Sequence, residues 1–161
     1  VKPNLLPGTA LPQLRLIIMA MMTGVVTLGA VAVYIGQNAK PDLEQAKLLL
    51  IALAALCIME IPAFILIGRV MIGKLQVDFQ KLPDDQDPWD QLLPSFFTIT
   101  LIRGAMVEGA SIFGCVIMLI SGVWLSLIVP MLGLMVLSLL FPTDNRFHEF
   151  IGTVTGRRRL R

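Results

Sequence analysis

Three ionisable side chains lie inside long apolar stretches. Glu60 stands in ALCIMEIPAFIL, and Arg103 and Glu108 stand in LIRGAMVEGASIFGCVIMLI. In hydrocarbon such groups are costly, and they persist where they are paired, hydrogen-bonded or used. Glu60 and Glu108 fall at similar depth when counted from the same end of their stretches. Glu60 is also followed two residues on by Pro62, which frees a backbone carbonyl. Two level carboxyls of this kind are the ingredients of a proton or cation site. They equally suit a bundle lock, each acid bonded to a neighbouring carbonyl or hydroxyl.

Arg103 is five residues from Glu108, about 140° around a helix, so the two are poor partners within one helix. Two other roles remain open for it. It can pair with Glu60, or its stem can snorkel to the headgroups from about two turns inside the membrane. Gly104, Glu108, Ser111 and Cys115 recur at steps of four, three and four, which defines one helix face. Small residues let another helix approach closely, so this face is expected to pack on protein, with Glu108 turned away from lipid.

The remaining chemistry is sparse. Cys57 and Cys115 are isolated in apolar runs and suit neither a disulfide framework nor a metal site. His148 is the sole histidine, and beside Glu149 it completes neither an HExxH motif nor a triad. No phosphate-binding glycine loop or nucleophile elbow occurs. The expectation is a chain that is not an enzyme and carries no metal or cofactor.

The elements that must position these residues follow from composition. Of 161 residues 56% are hydrophobic and 15% charged, against roughly a quarter charged in soluble domains. The apolar residues come in unbroken blocks, which points to lipid as the solvent. Four blocks are long enough to cross, at about residues 14–36, 48–72, 95–121 and 123–141. None alternates as a barrel strand would, so the expected fold class is all-α: an integral membrane bundle of four transmembrane helices in one domain. The N-terminal segment has no signal-peptide pattern, so the first span is expected to be retained.

Arginines and lysines set the orientation. Lys2 and Arg15, then Arg69, Lys74 and Lys81, then Arg146 and the Arg157–Arg161 cluster share one side, while Lys40 and Lys47 hold the other. Both termini are therefore expected in the cytoplasm, in a bacterial inner membrane. The loop 73–94 carries Asp84, Asp85, Asp87 and Asp90, opposite in charge to the basic tail 143–161. Residues NRFHEFIGTV suit a short amphipathic surface helix, with Phe147, Phe150 and Ile151 dipping inward. Only Ser121 and Gly122 separate the last two spans, which implies a tight hairpin.

The first and third spans also align with each other. AMMTGVVTLGAVAVYI (20–35) matches AMVEGASIFGCVIMLI (105–120) without gaps, pairing Gly24 with Gly109 and Gly29 with Gly114. This suggests two parallel-repeat hairpins, each with a proline in its second span, Pro62 and Pro130, expected to kink it. Gly24, Gly29, Gly104, Gly109, Ser111 and Gly114 are the expected helix-packing positions.

Residues 105–120, with Glu108 followed by small residues and the Phe113–Gly114 pair, resemble the carboxylate helix of rotary-ATPase proteolipid subunits. That resemblance implies an ion-carrying role for Glu108. The whole chain is more similar to small four-span bacterial membrane proteins, a likeness that implies no activity. The sequence supports two functions. The favoured one is a structural or accessory subunit that packs against other membrane proteins or its own copies, with no nucleic-acid partner. The alternative is a proton- or cation-translocating component using Glu60 and Glu108, with Arg103 nearby.

Overall fold

A computed structural model describes residues 7–38, 43–80 and 88–156. Every regular element among them is helical: α1 (Pro7–Gly36), α2 (Leu43–Gln80), α3 (Pro88–Ser121), α4 (Ile128–Leu140) and α5 (Asp144–Thr155), with a 3₁₀ turn at Trp124–Leu127 leading into α4. Three helices, α1, α2 and α3, are long and apolar enough to cross a membrane; Trp124–Leu140 reaches a comparable length only together with α5, from which it is bent by 73°.

The helices outrun the apolar blocks. α2 continues through Val77 to Gln80, and α3 starts at Pro88, so much of the expected loop 73–94 is helix. Intrahelical hydrogen bonding does not stop where hydropathy falls, and nothing between Gly73 and Gln80 breaks the helix. The side chains of Asp84, Asp85, Asp87 and Asp90, like the Arg157–Arg161 cluster, lie outside the described residues, and with them any contact between loop and tail.

The expected pair of hairpins is replaced by a layout centred on α3. It packs most extensively on α1, then on α4, then on α2, whereas α1 and α2 barely meet. The α3–α4 hairpin is tight. Gly122 closes it at φ 65°, a left-handed conformation that favours glycine. The Ser121 hydroxyl donates to Ile117 O (2.7 Å) and accepts from Val123 N (3.3 Å), so the reversal leaves few backbone groups open. Pro130 stands just after the 3₁₀ turn. It is the third residue of α4, where its missing N–H would have had no intrahelical partner. Pro62 lies inside the continuous α2.

At one end of the bundle α5 closes over the helices. Thr143 caps it by accepting from Arg146 N (3.4 Å), and Gly156 ends it in the left-handed region. Phe147 enters a core with Leu14, Ile18, Leu93 and Phe96, and Phe150 packs at its edge. The Phe96 ring is 5.2 Å from both Phe147 and Phe150. The amphipathic tail helix thus turns its apolar face to protein. Arg15 ties α1 to α5, with Nη2 3.0 Å from Asp144 Oδ2 and Nε donating to Pro142 O at 2.9 Å. Gln76 of α2 donates to Thr153 O at 3.0 Å. These contacts bring the start of α1, the end of α2 and the start of α3 to the same end, as antiparallel succession requires.

Candidate functional site

Because α1 and α3 start at the same end they run parallel. Gly104 meets Ile18 and Met21, Gly24 meets Glu108, and Gly29 meets Cys115 in ascending order. Three members of the expected face, Gly104, Glu108 and Cys115, therefore do look at α1. Ser111, 60° further round from Glu108 by helical rotation, turns to α4. Its hydroxyl donates to Val107 O (2.7 Å) and fills the space a side chain on Gly133 would need.

The glycines paired by the internal alignment do different work. Gly24 faces the Glu108 carboxyl, 3.7 Å from where its own Cβ would stand, while Gly109 looks into open space. Gly29 touches Cys115 on α3, whereas Gly114 takes the opposite partner: a Cβ there would come within 2.8 Å of Ser126 O and Pro130 Cδ. α1 and α3 share residues but not neighbours, so the matched positions are not structurally equivalent.

The carboxyls are not brought together. Glu60 lines a cleft of about 330 Å³ between α2, α3 and α4, with Cys57, Phe64, Val107, Ala110 and Val136 among its walls. Glu108 is about 100° from Val107 and 160° from Ala110 around α3, and it faces α1 instead. The expected level pair does not form, because α3 lies between α1 and α2 and gives each carboxyl a separate neighbour.

Arg103 occupies the cleft side of α3, one turn before Val107. Its Cζ stands 4.6 Å from the Phe64 ring centroid, a cation–π distance. Its guanidinium fills the space above Gly68, where any side chain would collide with it. Among the described residues no carboxylate forms an ion pair with it, and its Nε is buried with no hydrogen-bond partner. It neither pairs with Glu60 nor extends along the helix to an end; it is held across the α2–α3 crossing.

Contact with Gly68 also fixes its level. Along α2 the rise from Lys47 to Arg69, both exposed, is about 33 Å, and along α3 the rise from Arg103 to Ser121 is about 27 Å. Arg103 is thus level with Gly68 and its neighbour Arg69, and Glu60 lies about 12 Å further along α2.

A second surface emerges from exposure, and it includes Gly24 and Gly109 of the expected helix-packing positions. Ala105 and Gly109 lie open on α3 on either side of Glu108, and Ala20, Thr23, Gly24 and Thr27 lie open on α1. Together they form a shallow small-residue face with one carboxyl in it. Cys57 is half-buried on the cleft and Cys115 fully buried. The His148 ring uses Nδ1 to donate to Asp144 O at 2.7 Å. Among the described residues no three His, Cys, Asp or Glu side chains gather as metal ligands. No family model, curated protein or solved structure matches the chain.

Proposed function

We propose that this chain is a multi-pass membrane subunit without catalytic activity, which docks a transmembrane helix of another membrane protein on the face formed by α1 and α3 around Glu108. The observation that carries this reading is the open small-residue patch itself. Between helices in lipid there is no hydrophobic drive, and association relies on close backbone approach and polar bonds. Gly109 and Ala105 provide the approach, and Glu108 and Thr23 provide polar atoms, although Thr23 already donates to Met19 O at 2.8 Å.

In this reading Trp124–Leu140 is the fourth span, about 28 Å long as one 3₁₀ turn and thirteen α residues. The end bearing α5, Arg15, Arg69, Lys74 and Arg146 is cytoplasmic by the positive-inside rule, in a bacterial inner membrane. Tyr34 and Trp124, both exposed, then mark the outer interface. A proton or cation route through Glu60 and Glu108 draws no support from their placement in separate spaces.

The test exploits two glycines five residues apart on α3, about 140° around the helix from each other. Gly109→Leu adds a side chain that meets nothing in the isolated protein, whereas Gly104→Leu runs into Ile18 and Met21. In native membranes solubilised in mild detergent, Gly109→Leu is expected to lose the co-purifying partner and keep a normal melting temperature. Gly104→Leu is expected to lose both. A partner retained in full by Gly109→Leu would remove this surface from consideration.

A further inference from the structure

The cleft on the other side of α3 has an occupant written into its chemistry. Its walls are nearly all apolar, and its volume of about 330 Å³ falls at the lower end of ligand pockets, roughly 300–1,000 Å³. It runs about 10 Å along α2, from Phe64 to Cys57. At its Phe64 end stands Arg103, which stacks on that ring. Among the described residues this guanidinium has no acidic partner, and one of its nitrogens is buried without an acceptor. A fixed cation at one end of a greasy slot has the shape of an amphiphile's complement.

We propose that the α2–α3–α4 cleft binds one anionic phospholipid from the leaflet on the α5 side. Its phosphate pairs with Arg103 and one acyl chain runs past Phe64, Val107 and Ala110 towards Glu60. The argument rests on charge and level together. The unpaired guanidinium calls for an anion, and arginine matches phosphate through its fork of donors. In the proposed membrane placement the basic end that carries Arg69 faces the headgroups, and Arg103, level with Arg69, meets a phosphate from that side. Phe64 and Gly68 hold the guanidinium across the helix crossing, so little side-chain entropy is lost when the lipid arrives. The site shares the membrane assignment with the proposed function but uses the opposite face of α3.

The experiment is a lipid titration of the purified full chain in non-ionic detergent, read by native mass spectrometry. Phosphatidylglycerol is compared with phosphatidylcholine, and inorganic phosphate is added as a competitor. One phosphatidylglycerol is expected to bind in preference to phosphatidylcholine. Arg103→Gln should weaken it about tenfold, in line with loss of a hydrogen bond to a charged group. Arg69→Gln, at the same level but on no cleft, should leave it unchanged. Val136→Phe, which fills the slot and keeps Arg103, should also release the lipid, and it decides the matter if Arg103→Gln fails to fold. The proposal is overturned by equal binding of the two lipids, by equal losses in Arg69→Gln and Arg103→Gln, by full retention in Val136→Phe, or by displacement with inorganic phosphate. Loss of the protein partner in Gly109→Leu with lipid binding intact would show the two faces to be separate.

Discussion

Truncating Phe147 tests whether α5 is bound to the bundle or floats on lipid. The ring is wholly buried among Leu14, Ile18, Leu93 and Phe96. Phe→Ala at such a site costs about 3–5 kcal/mol, transfer and cavity terms together. The other ties of α5 are weaker. The Arg15–Asp144 pair is partly open to solvent, and such pairs contribute ~0–1 kcal/mol. The Gln76–Thr153 hydrogen bond adds about 1 kcal/mol. Phe147 is therefore the largest single term holding α5. Because α5 lies at the end of the bundle, its loss should show as local undocking rather than global unfolding. A loss of about 3 kcal/mol raises the opening equilibrium roughly 100-fold. The assay is amide hydrogen exchange in detergent, comparing a peptide within 145–155 with one inside α3. In Phe147→Ala the α5 amides should exchange about 100-fold faster, with α3 unchanged. A change below about threefold in α5 would mean that the micelle or bilayer, not the core, holds the helix. Equal acceleration in α3 would mean that α5 and the bundle unfold as one unit.

Two further outcomes are expected. Gly114→Ala places a methyl 2.8 Å from Ser126 O and Pro130 Cδ, neither of which can swing aside, so it should cost about 1–3 kcal/mol and lower the melting temperature in detergent. Its aligned counterpart Gly29→Ala, whose methyl would stand 3.8 Å from Cys115 Sγ, should shift stability by less than about 0.5 kcal/mol; equal effects would restore the equivalence of the two positions. Cys57, half-buried on the cleft, should react with a small apolar maleimide in the folded protein, while fully buried Cys115 reacts only after unfolding. Matched rates would show that α1 and α3 separate readily.

What could be read from the sequence followed from solvent matching. Unbroken apolar blocks mark the long helices whatever their neighbours, and the Ser121–Gly122 reversal was visible because only a left-handed glycine closes so short a turn. The steps through Gly104, Glu108 and Cys115 also gave a true helix face. The neighbours of Arg103 on α2 were not legible, because hydropathy does not say which residues of another helix a side chain meets. Pairing of Glu60 with Glu108 was not legible either, since equal depth says nothing about which side of a third helix each carboxyl faces. The internal alignment misled for a related reason. Matching glycines record a common need for small residues, but Gly29 packs on α3 and Gly114 on α4 and the turn before it.

The central position of α3 itself follows from side-chain size. α2 is the more apolar of the two, with a hydropathy of 2.6 against 1.8, yet only 6% of its apolar window is buried against 44% for α3. In water the greasier helix would be the inner one. In lipid the tails solvate Leu and Ile as well as protein does, so hydropathy no longer sorts inside from outside. What sorts helices is how closely a neighbour's backbone can come. α3 carries Gly104, Ala110, Ser111, Gly114 and Cys115 at its contacts, spread over the faces towards α1, α2 and α4. That spread erases a single amphipathic stripe and leaves room for three neighbours at once. It also explains why Arg103 and Glu108, five residues apart on one helix, face different neighbours, α2 and α1: the helix between them is the wall.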